Sequence, residues 1–328
     1  IGMTIGAGWA GLRAMTSTSG PGLSLMTEVA GLAYYGEVPI VVWDVQRVVP
    51  SAGLPTRTSQ GDLTFTHYLG HGDTEQVILL PGTINECFEF GWRSFDIAEH
   101  MQTPVFVLSD LELGMNQWMA KPFEYPDTPM DRGKVLWEED LEKIKGNWGR
   151  YRDVDGDGIP YRTFPGNIHP ASAYFMRGTG HNENARYSED AETWVKMMDR
   201  IKKKYHIAAK FIPKPIIEKT KGATVGIIAY GSTEPAIREA CYQLKTEAGR
   251  KCDSMRIRGI PFDDEVQKFI ESHEHNFVVE LNRDGQMYQL LLVEYPQLAD
   301  KLTSVAHNDG LPATAKWVRE SILATEVK

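Results

Sequence analysis

Three cysteines, Cys87, Cys241 and Cys252, are all that this 328-residue chain carries, and no two form a CxxC pair. So few thiols exclude a disulfide framework and fit a reducing, cytoplasmic compartment. They also cannot by themselves hold a four-cysteine iron–sulfur cluster. No apolar run approaches the roughly 20 residues that a membrane-spanning helix needs. Excess positive charge is missing too: the formal net charge is −9, which argues against nucleic acid and against docking on an acidic membrane surface. There is no internal repeat and no low-complexity tract. The start lacks a Met, a signal peptide and a capping residue; IGMTIGAGWAGLRAM reads as the middle of a buried helix, so the polypeptide is expected to extend upstream.

What is present is an ordinary globular composition, 42% hydrophobic and 24% charged, in a length that suits two or three domains. Residues 1–120 alternate helix and strand. PIVVWDVQ from Pro39, the run Gln76–Leu80 and PVFVLS from Pro104 are short apolar stretches of the kind buried on both faces of a parallel sheet. Helices are expected over Leu23–Tyr35, after a Gly-Pro-Gly turn, and over Glu86–Met101, with Asn85 as cap. Residues 121–187 lose apolar periodicity and read as a long ordered connection. A helix is expected over Ser188–Tyr205. A second α/β unit follows, with strands at Thr224–Tyr230, Met255–Gly259 and Asn276–Leu281. A helix through about Glu247 opens at Gly231–Pro235, and a last one starts at Pro312.

Several motifs invite functional readings. Gly6-Ala-Gly8-Trp-Ala-Gly11 matches GxGxxG, but no strand precedes it, so close helix packing is the better reading. Asp153, Asp155 and Asp157 resemble the start of a calcium loop, yet Phe164 stands where the last acidic ligand belongs; this is a weak cation-site candidate. The same Gly-Asp-Gly, with Asn182 and Asn184, imitates a thiamine-diphosphate magnesium motif but lacks the apolar strand before it. His67, His71 and Asp73 suggest a metal site or proton relay; in a glycine-flanked loop, structural hydrogen bonding is the better account. Gly20-Pro21-Gly22 is either a plain turn before a helix or a set of free N–H groups facing a ligand. Arg47, where the first buried strand ends, and Arg57, in the Pro-, Gly- and Thr-rich loop beyond it, suggest an anionic group. Loops beyond strand ends bind ligands in α/β folds, and guanidinium forks match carboxylates.

The stretches TSTSGPGLSLMTEVAGLAYY, DVQRVVPSAGLPTRTSQGDL, HGDT, FVLSDLELGMN, DVDGDGIPYRT, RGTGH, IIAYGST and VVELNRDGQM together resemble the alpha subunit of 2-oxoacid:ferredoxin oxidoreductases, most closely the 2-oxoglutarate type. The resemblance covers nearly the whole chain. It implies an α/β fold with a thiamine-type pyrimidine-binding domain over 1–140, N-terminally incomplete, a connecting segment over 141–220 and a transketolase C-terminal-like domain over 221–328. It implies CoA-dependent oxidative decarboxylation of a 2-oxoacid, or its reductive reverse, in a hetero-oligomer that is a dimer of heteromers. Thiamine diphosphate with Mg²⁺ and a [4Fe–4S] cluster would be held mainly by a beta subunit. A gamma subunit or fused gamma domain and ferredoxin would complete the assembly, with coenzyme A as co-substrate. Arg47 would hold the substrate carboxylate, Thr56 and Arg57 would touch the substrate, and Gly20, Pro21 and Gly22 would line the cofactor's pyrimidine side. The family's activating glutamate and a Tyr-Pro-Ile-Thr-Pro segment are expected upstream of Ile1. The competing readings are a non-catalytic scaffold, a pyruvate or branched-chain enzyme of the same family, and a transketolase- or pyruvate-dehydrogenase-like enzyme.

Overall fold

The strands of the protein, seen in a computed structural model that describes residues 1–326, are β1 (Met15–Thr18), β2 (Ile40–Gln46), β3 (Val77–Leu79), β4 (Pro104–Asp110), β5 (Ile216–Glu218), β6 (Val225–Tyr230), β7 (Cys252–Ile257), β8 (Gly259–Ile260), β9 (His275–Glu280) and β10 (Leu302–Ala306). They form two five-stranded sheets, ordered β1-β2-β4-β3-β8 and β10-β9-β6-β7-β5. In the first sheet β1, β2, β4 and β3 run parallel, and only the edge strand β8 is antiparallel. Consecutive residues of the central strands enter opposite cores. Ile40, Val42, Phe106 and Leu108 face a core shared with Ile228, Tyr230 and Met255 of the second sheet. Val41, Val105 and Val107 face a second core made with Phe90, Ile97, Met101 and Tyr205. Burial on both faces explains why these strands are unbroken apolar runs.

The helices differ from expectation in instructive ways. Gly-Pro-Gly lies inside a short helix, Gly20–Ser24, and a break separates it from Thr27–Tyr35. The long helix runs Ile84–Met101, capped by Thr83, whose hydroxyl accepts the Glu86 N–H at 3.2 Å. Asn85 turns away and exchanges two bonds with the Lys121 backbone. The helix placed at Ser188–Tyr205 runs Ala191–Ala208, behind an Asp190 cap. Pro312 does not open the last helix, which begins at Ala315 behind Thr314; the Thr314 hydroxyl accepts the Trp317 N–H. The expected strand Met255–Gly259 is two strands in two different sheets, because the chain crosses between the units at Arg258. In the GxGxxG motif, Gly8 sits in the helix Gly2–Trp9 against the Pro39 carbonyl, and Gly11, at φ +89°, ends it against the Phe164 ring. Both glycines are there for close approach.

The connection between the units is ordered by its own polar network. Glu37, fully buried, is bonded by Arg200 and, at 2.5 Å, by Lys204, while the Glu37 carbonyl accepts from Arg150. These contacts fasten the helix Ala191–Ala208 and the segment around Arg150 to the first sheet. No helix among the described residues is long and apolar enough to cross a membrane.

Candidate active site at the strand ends

Parallel pairing delivers the C-terminal ends of β1, β2 and β4 to one edge of the first sheet. From β1 the chain passes through Ser19 into the helix Gly20–Ser24, with Pro21 in its first turn, where a missing N–H costs nothing. A side chain on Gly20 would overlap the Asp62 carboxylate, and one on Gly22 would overlap the Thr18 hydroxyl. The Gly20 N–H is bonded by the Asp62 carboxylate, and the Gly22 N–H by the Ser19 carbonyl at 2.8 Å. The turn therefore presents no free N–H to a ligand, and its glycines serve close packing between β1 and the segment carrying Asp62.

Arg47 follows directly on β2. It is half-buried, and its Nε is shielded from water with no hydrogen-bond partner among the described residues. The loop after it folds back on itself. The Val48 N–H bonds the Arg57 carbonyl at 3.0 Å, Leu54 pairs with Val48, and Gly53 takes a left-handed φ of +49°. Thr56 and Arg57 lie on the returning limb and are exposed, with the Arg57 stem packed on Gly310 of the second unit. The fold thus puts Arg47 and Arg57 on the two limbs of one loop, Arg47 inward and Arg57 outward.

Beneath Arg47 lie two carboxylates that sequence reasoning missed. Asp44, on β2, is fully buried, and Asp62, at the end of the loop, nearly so. Among the described residues, neither oxygen of Asp44 has a donor. Burial, and then the Asp62 charge, pushes Asp44 well above the usual carboxylate range. Burial pushes Asp62 up to about 6, against the opposing pull of Asp44, the Gly20 N–H and Arg47. Gln46 accepts the Asp62 N–H at 3.2 Å. At the end of β4, Asp110 caps the following turn through the Leu113 N–H and accepts the Ser232 hydroxyl of the second unit at 2.5 Å. No periodicity marks an aspartate as buried, and Asp44 lies inside the apolar run of β2, so pattern alone carries no signal for these residues.

The remaining candidates resolve differently. Asp155 and Asp157 close on the Lys134 ammonium, at 2.7 and 2.8 Å, and Asp153 faces Lys203 at 3.6 Å. The acidic turn is a lysine-bridged loop rather than a cation site. Among the described residues no group of three or more His, Cys, Asp and Glu side chains is placed to hold a metal ion. His67 ends the helix Leu63–His67, where burial lowers its pKa to about 4, while His71 and Asp73 are exposed on the loop beyond. Among the described residues the Nδ1 of His67 has no hydrogen-bond partner, contrary to the expected structural bond. Cys87 lies on the helix Ile84–Met101, Cys241 on the helix Glu234–Glu247 and Cys252 on β7.

Two α/β units joined at the strand ends of a largely parallel sheet give the chain the fold of thiamine-diphosphate enzymes. A split-gene transketolase shares this fold at a TM-score of 0.51 and 11% identity, over 98% of this chain and 79% of that one. Residues 1–139 match the family model described as pyruvate flavodoxin/ferredoxin oxidoreductase, thiamine diP-bdg. The chain is 33% identical to 2-oxoglutarate synthase subunit KorA of Methanothermobacter marburgensis, over 88% of this chain and 74% of the relative. It superposes on 2-oxoglutarate:ferredoxin oxidoreductase from Magnetococcus marinus, solved with 2-oxoglutarate, coenzyme A and succinyl-CoA bound, at a TM-score of 0.87 and 30% identity, over 100% of this chain and 55% of that one. The chain belongs to the 2-oxoacid:ferredoxin oxidoreductase alpha-subunit family. It spans about half the length, 45 to 50%, of the first curated alpha subunits it matches.

Proposed function

We propose that the chain acts as the alpha subunit of a CoA-dependent 2-oxoacid:ferredoxin oxidoreductase whose substrate is 2-oxoglutarate. The observation that carries this reading is the buried, unpartnered Nε of Arg47 at the C-terminal end of β2. A buried donor on a charged group left unmade costs about 1–3 kcal/mol or more. A substrate carboxylate recovers that cost through a charge-assisted bond. Membership of the family supports a 2-oxoacid as the carboxylate's source. The KorA relative and the Magnetococcus enzyme support 2-oxoglutarate in particular. Arg57, on the outer limb of the same loop, suits the distal carboxylate, with Thr56 beside it.

Thiamine diphosphate, when bound, supplies the electron sink that lets the 2-oxoacid lose CO₂. This chain offers it a pyrimidine-side wall at Gly20, Pro21 and Gly22 that is small in profile and has no N–H left to donate. The residues therefore fit a packing surface rather than a hydrogen-bonding cradle. Mg²⁺ and the [4Fe–4S] cluster belong, in this reading, to the beta subunit, and electrons leave to ferredoxin. Activity accordingly needs the partner. The test is to purify the chain with its beta and gamma partners and follow viologen or ferredoxin reduction. Reduction should depend on both 2-oxoglutarate and coenzyme A; an assembled complex that reduces nothing with any 2-oxoacid overturns the proposal.

A further inference from the structure

We propose that Gln60 is a positioning residue for this reaction: it fastens the loop bearing Arg47 to the second α/β unit, so that the second unit sets where the arginine meets the substrate carboxylate. The inference rests on the role of Arg47 given above. Gln60 is fully buried on the returning limb of the loop. All four of its hydrogen-bonding groups are committed to the second unit. Its side-chain amide donates to the Tyr230 carbonyl and its side-chain carbonyl accepts the Leu281 N–H, both at 2.9 Å. Its backbone N–H donates to the Leu281 carbonyl at 2.7 Å. Its backbone carbonyl accepts the Asn282 amide at 3.0 Å and the Tyr230 hydroxyl at 3.2 Å. Tyr230 ends β6 and Leu281 follows β9, and these strands are parallel neighbours, so one residue bridges two strand ends. Any shift of a buried amide held in this way leaves polar groups unmade in a water-free space, which fixes its placement.

The fastening reaches Arg47 through its chain neighbours on both sides. Before it, the Gln46 side chain accepts the Asp62 N–H at 3.2 Å. After it, the Val48 N–H bonds the Arg57 carbonyl at 3.0 Å. Val49 packs on Gly61 so closely that a Cβ there would lie 3.2 Å from a Val49 methyl group. Arg57, Gly61 and Asp62 all belong to the limb that Gln60 holds. The second unit grips the same limb at further points. The Ser59 hydroxyl donates to the Leu281 carbonyl at 3.0 Å, and Gly310, at φ +80°, lies against the Arg57 stem and Val48. The Gln286 side chain donates to the Gly61 carbonyl at 2.7 Å and accepts the Thr64 N–H at 2.9 Å. Releasing Gln60 lets Arg47 spend time away from the substrate, and apparent affinity falls by the fraction of time it does so.

The test uses the assembled complex carrying the natural chain, Gln60→Leu, Arg47→Ala or both, with Gln286→Ala as a milder release of the same limb. It reads calorimetric binding of 2-oxoglutarate, and kcat and KM separately. Gln60→Leu should weaken binding and raise KM about tenfold while kcat changes less than about threefold. Gln286→Ala should raise KM about threefold. Because the effect passes through Arg47, adding Gln60→Leu to Arg47→Ala should lower kcat/KM by less than about twofold more. A residue that only stabilised the fold would lower the melting temperature and the yield of complex but leave the KM of the assembled enzyme unmoved. If the natural complex binds 2-oxoglutarate and Gln60→Leu keeps its KM, or costs as much beside Arg47→Ala as alone, the inference is overturned while the functional reading stands. If the natural complex binds no 2-oxoacid, both fall. Should Gln60→Leu fail to assemble, Gln286→Ala decides in its place: a raised KM that disappears beside Arg47→Ala supports the inference, and any other result overturns it.

Discussion

Glu37 shows what a single buried charge does in this protein. Burial alone would raise its pKa; Arg200 and Lys204 overcome that and hold the carboxyl well below the usual range. A carboxylate depressed on folding contributes stability that is present above its unfolded pKa of roughly 4 and is lost as the pH falls through the folded value. Glu37→Gln leaves Arg200 and Lys204 buried without their anion, and breaking such a cluster costs about 3–5 kcal/mol. Urea unfolding at neutral pH should show that loss. The gap to the natural chain should narrow only as the pH drops below roughly 4. A midpoint unchanged at neutral pH would mean that the cluster contributes nothing net. The Asp44–Asp62 pair has the opposite sign. Its pKa values are raised, so it weakens the fold as the pH climbs through them, the kind of strain that functional sites retain.

Strands and helices were legible to the degree that burial was two-sided. β2, β4, β6 and β9 are almost wholly buried, and their sequences are apolar runs. β1, with the sequence MTST, alternates exposed and half-buried residues at a sheet edge and carries no such signal. β5 and β8 span three and two residues, and only pairing with distant strands defines them. The helices Asp264–Ser272 and Gln286–Glu294 and the strand β10 also went unread. Among the glycines of the helix Gly2–Trp9, Gly8 has the sharpest requirement: a Cβ there would overlap the Pro39 carbonyl just before β2. Gly8→Ala should therefore cost about 1–3 kcal/mol, the usual penalty for forcing extra volume into a packed contact. Gly6 meets nothing within 4 Å, so Gly6→Ala should be neutral or slightly stabilising in the same thermal melts, since alanine favours the helix. Equal effects at the two positions would show that the motif's spacing has no packing role.

The whole chain is knit across its two units at the loop that bears Arg47. The Gln60 side chain donates to the Tyr230 carbonyl and accepts the Leu281 N–H, both at 2.9 Å, and Asn282 donates to the Gln60 carbonyl. Glu86 is clamped by Arg256 at 2.6 Å and Arg258 at 2.8 Å, and β8 lends the second unit's chain to the first sheet. These contacts join residues too far apart in sequence for local pattern to reveal. Arg47 was legible as the residue following a buried strand, whereas Asp44, earlier on that strand, and Asp62 were not, because no apolar pattern marks a buried carboxylate. The contacts across the units also explain how a loop rich in Gly and Pro holds an inward guanidinium in place: both its limbs are fixed, one by β2 and the other by the second unit.

The claim that Arg47 receives the substrate carboxylate is tested by the kinetics of Arg47→Ala in the assembled complex with 2-oxoglutarate. Removing a buried charge partner costs about 2 kcal/mol or more, so kcat/KM should fall by roughly 30-fold or more, with KM rising. A variant that assembles and keeps the kcat/KM of the natural complex would contradict the account.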